Sequence, residues 1–173
     1  MRLHTLSFIG SCSPYAYGLG GNPKTGRREY GSSGLCLPVP NPVFGRCRME
    51  SDYCKVVDNQ RSTDSNRQTV ISFTCNNGYS DGRNGAYGVA SDAFFYGHLT
   101  GRFHQEKYNF RALSWTPRMV VHYGSCYDNA FWDGRDMYFG DGCSTFYPLV
   151  SQDVIAHELA HGITSTNSNL VYR

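Results

Sequence analysis

His157-Glu158-Leu159-Ala160-His161 constrains this chain more than any other stretch. The two histidines are four residues apart, so on an α-helix they share one face and aim two imidazoles at one point. Neutral imidazole is a good zinc ligand. Glu158 is one step round the helix from the first histidine. That puts a carboxylate beside a metal without making it a ligand, the position from which a general base takes a proton from water. The bland reading is two surface histidines on an ordinary helix. Three fixed residue types at fixed spacing recur by accident in on the order of 1% or fewer of chains this long, so the metallopeptidase reading leads.

The helix can be argued from its own residues. Ser151 is an N-cap candidate after the turn-like Tyr147-Pro148. Asp153 falls in the first turn, where the helix dipole favours a negative charge. Ile155, Leu159 and Ile163 recur at intervals of four and make an apolar stripe. Fraying is expected over Thr164 to Asn167, where β-branched and polar residues take over.

Two imidazoles leave a tetrahedral site one protein ligand short when water takes the fourth position. The class that reads H-E-x-x-H-x-x-G-x-x-H is excluded, because Thr164 and Asn167 stand where it needs glycine and histidine. Residues 119–172 instead closely resemble the thermolysin-like neutral metallopeptidases, especially the elastase-like bacterial secreted branch. The matching segments are Val121-His122-Tyr123-Gly124, Asn129-Ala130-Phe131-Trp132-Asp133-Gly134 and Tyr138-Phe139-Gly140-Asp141-Gly142. The match continues through Phe146-Tyr147-Pro148-Leu149, Asp153 to Gly162 and Asn169-Leu170-Val171-Tyr172. Looser matches at Gly20-Gly21-Asn22, Asn84-Gly85-Ala86-Tyr87 and Asp92-Ala93-Phe94-Phe95 extend the resemblance to roughly residues 19–173.

The resemblance implies an α+β fold: a β-rich N-terminal domain with one packing helix and the zinc-motif helix. In that family a Glu on the next helix is the third zinc ligand, and a further catalytic His lies in a helical C-terminal domain. This sequence ends at Arg173, twelve residues after His161. The expectation is therefore an incomplete N-terminal catalytic domain over 18–173, inactive as a fragment, with 1–17 a leader or pro-segment remnant.

The resemblance also implies roles for other residues. Asn129 and Ala130 open an edge strand that binds the peptide backbone, a β-augmentation mode; read alone, Asn129 is a turn residue. Phe146, Leu149 and Val154 match the walls of an apolar pocket for the residue after the scissile bond; plain core packing is the other reading. Tyr172 matches a tyrosine that donates to the tetrahedral oxyanion. Asp153 matches a calcium ligand, although a first-turn carboxylate needs no metal to explain it. The implied cofactors are zinc and, in the full-length protein, calcium. The implied partners are a peptide or protein substrate and the protein's own pro-segment.

Composition agrees with a secreted globular domain. Its 173 residues suffice for one core. Nineteen glycines and thirteen tyrosines suit a β-rich, loop-rich domain better than a helical bundle. A net charge of +2 with interspersed signs gives no support for nucleic-acid or membrane-surface binding. No apolar run approaches the ~20 residues of a membrane helix. Seven cysteines suggest an oxidising, extracellular setting. The apolar stretch in 1–17 is too weak for a signal peptide, so the chain reads as truncated at both ends. Cys47 and Cys75 flank a polar loop, and the resemblance implies that they pair.

Along the chain, residues 18–46 read as Gly/Pro-rich with short extended pieces. Tyr53 to Val57 and Thr69 to Cys75 read as strands, and Asn76 to Tyr87 as loop. A helix capped by Ser91 or Asp92 runs to about Lys107. Phe94, Phe95, His98, Leu99 and Phe103 form its apolar face, with Gly97 and Gly101 permitting close packing. His98 and His104 are read as packing or surface residues. Arg118 to Gly124 is a strand, and Ala130 to Phe139 a hairpin turning at Asp133-Gly134. That hairpin brings Cys126 and Cys143 to one end. A bridge there would close a loop of about 17 residues, worth about 3 kcal/mol in the chain-entropy model, and would hold the cleft wall. Two independent thiols are the alternative. The rival to an enzyme is a disulfide-stapled secreted binding or inhibitory domain with a vestigial zinc motif. A Glu in an Asn-Glu-Ala-like context beyond Arg173 would discriminate.

Overall fold

The computed structural model describes residues 16–31, 35–40, 42–64 and 69–168. Among the described residues, eight strands and two α-helices order the chain, with one 3-10 turn at Cys75–Asn77. A hairpin of β1 (Gly18–Asn22) and β2 (Gly26–Tyr30) comes first, followed by β3 (Arg46–Arg48), β4 (Lys55–Asp58) and β5 (Ser72–Thr74). Helix α1 (Val89–Tyr108), β6 (Arg118–Val121), β7 (Ala130–Trp132), β8 (Met137–Phe139) and helix α2 (Gln152–Asn167) complete it. The fold is α+β, as expected. No helix among the described residues is long and apolar enough to cross a membrane.

The central sheet has the order β4-β6-β8-β7. β4 and β8 both run parallel to β6, and β7 pairs antiparallel with β8 at the edge. The turn between β7 and β8 is closed by Asp133, whose Oδ1 accepts the N–H groups of Arg135 and Asp136, each at 2.8 Å. Asp136 then fastens β8 to β6: its carboxylate accepts the Arg118 backbone N–H at 2.7 Å and the Arg118 Nε at 2.8 Å. β6 is shorter than the predicted Arg118–Gly124, because His122 takes a left-handed conformation (φ 56) and ends the strand.

One face of this sheet carries Val56, Met119 and Val121 into the main core with Ala90, Ala93 and Phe94 of α1. The alternate residues Val57, Val120 and Tyr138 form a smaller cluster on the other face with Tyr123 and Phe131. Gly97 and Gly101 let α1 approach closely. A Cβ on the first would lie 2.9 Å from the Cys54 sulfur, and on the second 2.6 Å from the Tyr53 Cβ.

Four expectations are corrected here. α1 begins at Val89 with Gly88 as N-cap, not at Ser91 or Asp92. The Asp81 carboxylate reaches in from the preceding loop to accept the Ala90 N–H at 2.8 Å. Asp92 lies inside the first turn, where it accepts the Tyr30 hydroxyl and the Gly21 N–H, each at 2.6 Å. Phe103 leaves the apolar face: it is exposed and meets His104 and Tyr108 edge-on. The short extended pieces of residues 18–30 pair as a regular hairpin of five residue pairs, whereas α2 stays helical through Asn167 instead of fraying from Thr164. The segment 69–75 narrows to Ser72–Thr74, with Val70 only bridging to Val57.

Candidate active site

Helix α2 presents the motif as its spacing requires. Ser151 is the N-cap residue by backbone conformation, but its hydroxyl donates to Asp153 instead of capping an N–H. That bond, partly opposed by desolvation, holds the Asp153 carboxyl below its usual range. Ile155 and Leu159 are buried beneath the helix. On the opposite side the Nε2 atoms of His157 and His161 stand 3.0 Å apart, with the rings edge-on. Two nitrogens held 2.0–2.1 Å from one tetrahedral ion would lie about 3.3 Å apart. The pair therefore needs a shift of only a few tenths of an ångström to share a zinc ion.

Glu158 is 5% exposed, while His157 beside it is exposed. Burial pushes the Glu158 carboxyl up from its ordinary value. The two imidazoles and the nearby Trp132 backbone oppose that rise. Trp132 belongs to β7, so the edge strand and the motif helix meet at this carboxylate. Its ring stacks on Trp115 at 6.3 Å, and the Trp115 Nε1 donates to the Arg135 carbonyl at 3.0 Å. Nothing in the sequence pattern singled out Trp132 for this contact, which depends on how β7 crosses the helix.

A cleft of about 740 Å³ runs between these two elements. Asn129, Ala130, Phe131 and Trp132 form one wall. Leu149, Asp153, Val154, His157, Glu158 and His161 form the other. The structure thus brings together eight of the residues singled out in the sequence. Phe146 is 52% exposed and stands outside the cleft lining. Tyr172 lies outside the described residues. The pairs Cys47–Cys75 and Cys126–Cys143 are disulfides, with Cα separations of 5.1 and 4.5 Å. Cys36 is disulfide-bonded as well, and Cys54 is a buried free thiol. Among the described residues, no group of three or more His, Cys, Asp or Glu is placed to hold a metal ion. Two candidate donors, His157 and His161, therefore converge among the described residues.

The model of the thermolysin metallopeptidase catalytic domain matches residues 24–165. The chain belongs to the thermolysin metallopeptidase family. Within that family it is 45% identical over 160 residues to the hemagglutinin/proteinase of Vibrio cholerae, covering 90% of this chain and 26% of that protein. It is equally identical, with the same coverage, to the neutral protease of Vibrio proteolyticus. The zinc metalloproteinase of Legionella pneumophila is 35% identical over 178 residues, covering 90% and 33%. Among solved structures, the precursor of protealysin from Serratia proteamaculans superposes with a TM-score of 0.55 at 27% identity, covering 76% of this chain and 40% of that one. The chain thus spans about a quarter to a third of the length of these curated relatives.

Proposed function

We propose that this thermolysin-family chain carries the zinc helix and the substrate edge of a secreted zinc metalloendopeptidase that cleaves before bulky apolar residues. The observation that carries the reading is the pair of convergent imidazoles beside a buried carboxylate, facing an edge strand across one cleft. A vestigial motif on a binding domain would have no need to keep Glu158 buried against the opposite wall.

His157 and His161 would hold zinc, with the remaining protein donor from outside the described residues. When bound, zinc would supply Lewis acidity and lower the pKa of water towards ~7. The Glu158 carboxylate takes a proton from the attacking water and delivers it to the nitrogen of the leaving amine. Its burial against β7 holds that carboxylate at the edge of the cleft. The substrate backbone lies along β7 beside Asn129 and Ala130, as an added strand. Leu149 and Val154 give its wall an apolar character suited to a bulky side chain. Tyr172 would donate to the developing oxyanion. Calcium at Asp153 would need further oxygen ligands from outside the described residues. The pro-segment is proposed as a partner by analogy with the protealysin precursor.

Zinc binding tests the reading directly, by competition with a chromogenic chelator. The parent chain should bind one zinc weakly, and His157→Ala or His161→Ala should weaken it at least about tenfold. Binding indifferent to both substitutions would remove the motif from its proposed role.

A further inference from the structure

β7 is only three residues long and has a strand neighbour on one side alone. A strand so short has little of its own to fix its position. The residues leading into it are fastened in an unusual way. The Tyr127 carbonyl accepts the Gly142 N–H at 3.1 Å, and the Asn129 carbonyl accepts the Gly140 N–H at 3.0 Å. Between them, Asp128 aims its carboxylate at the next stretch of loop. Its Oδ1 accepts the N–H groups of Cys143 at 2.7 Å and Phe146 at 3.2 Å, and its Oδ2 accepts that of Thr145 at 3.4 Å. The Cys126–Cys143 bridge closes the same seam at its outer end. The seam continues inward, because the Gly140 carbonyl accepts the Leu149 N–H at 3.1 Å. Leu149 lines the far wall of the cleft. A continuous path of bonds therefore joins one wall to the other: Asn129 to Gly140 to Leu149, with Asp128 and the bridge holding the path from outside.

We infer that Asp128 and the Cys126–Cys143 bridge form a positioning clamp, which sets the substrate edge of β7 against the Leu149 wall of the cleft. This rests on the proposed reading of β7 as the edge that binds peptide. Asp128 touches neither substrate nor metal in this scheme; it acts through Asn129 and through the loop that leads to Leu149. The loop residues 143–146 are exposed and belong to no strand, so the aspartate supplies acceptors that no ladder provides. Desolvation pushes the Asp128 carboxyl up, but the three backbone donors outweigh it and hold the group below its usual range, so the acceptor stays ionised at neutral pH.

The experiment compares the 173-residue chain with the double variant Cys126→Ser/Cys143→Ser, with Asp128→Ala and with Asp128→Asn. Hydrogen exchange is read over 127–132, over 140–149 and over α1 as an internal reference. Binding of N-acetyl-alanyl-leucinamide is read by amide chemical shifts. The double variant and Asp128→Ala should each exchange about tenfold faster in both cleft segments with α1 unchanged, and should bind the peptide about fivefold more weakly. Asp128→Asn, which keeps one carbonyl acceptor, should recover part of both effects. Unchanged exchange in the two segments would overturn the clamp. So would faster exchange everywhere, which marks a general staple, or faster exchange with unchanged affinity. A parent chain that binds no peptide while its seam remains protected would overturn the substrate edge, and the clamp's role with it.

Discussion

His122 lies at 1% exposure between two carboxylates, and replacing it should expose how much the fold relies on one buried imidazolium. Its Nδ1 is 2.7 Å from the Asp141 Oδ1 and its Nε2 is 3.1 Å from the Asp81 Oδ2. Burial alone would push the imidazole down; the hydrogen bonds it donates to Asp141 and Asp81, with their charges, outweigh it and raise the pKa to about 9. The folded value thus lies above the unfolded value of ~6.5, and the shift corresponds to roughly 3 kcal/mol. A raised pKa gives a contribution that is fully present below the unfolded value and lost as pH rises through the folded one. The window therefore runs from about pH 6.5 to pH 9 and slightly beyond. Removing one partner of a buried ion pair costs about 3–5 kcal/mol, which agrees. The assay is urea unfolding of the parent and of His122→Gln at pH 6 and at pH 10. Lysines and tyrosines titrate in both chains, so they cancel in the difference. The parent should exceed the variant by roughly 3 kcal/mol more at pH 6 than at pH 10. A gap equal at the two pH values, to within about 1 kcal/mol, would refute the buried imidazolium.

Three further outcomes follow from the same geometry. With His157 and His161 as the two donors that converge among the described residues, casein hydrolysis by the 173-residue chain should stay far below that of a Vibrio relative; comparable turnover would show that a third donor completes the site. In a version extended to include a third ligand, Glu158→Gln should lower kcat by about 10²–10⁴-fold with zinc content unchanged, as metal analysis alongside a furylacryloyl-peptide assay would report. Gly101→Ala should destabilise by about 1–3 kcal/mol in thermal or urea unfolding, since its Cβ meets the Tyr53 Cβ at 2.6 Å; a neutral result would mean that Tyr53 moves aside freely.

What the sequence disclosed depended on how local each signal was. α2 was legible because its cap position, apolar stripe and motif all repeat within one helix. The hairpin β7–β8 was legible because Asp133-Gly134 lies between aromatic β-formers. The first hairpin was not, because Gly-Leu-Gly-Gly-Asn and Gly-Arg-Arg-Glu-Tyr lack β-branched residues. Two bonds hold it to Asp92 from 71 and 62 residues away, Gly21 N–H and Tyr30 hydroxyl, and no local pattern announces them. The start of α1 was misplaced for the same reason. Ser91 and Asp92 look like caps, but Asp81 takes the N–H from nine residues upstream and leaves Asp92 free for the hairpin.

The site divides along the same line. His157, Glu158 and His161 could be read from spacing, because a helix converts spacing into direction. The opposite wall could be named only by resemblance, because three residues of edge strand carry no periodicity worth reading. Of what joins the walls, only the Cys126–Cys143 bridge was legible, from the hairpin; the hydrogen bonds along the seam were not. Asp141 shows why: its carboxylate holds His122 while its carbonyl takes the Asn84 side-chain amide at 3.0 Å. Its neighbours Gly140 and Gly142 accept and donate along the seam beside β7. The same few residues therefore neutralise a buried charge and set the cleft wall. Loosening the His122 cluster should then be felt at Asn129 and Leu149, more than at the helix that carries the imidazoles. Hydrogen exchange of His122→Gln would decide this. Faster exchange over 140–149 with α2 still protected is the expected pattern, and equal loss over both would mean that the cluster supports the whole domain and not the wall.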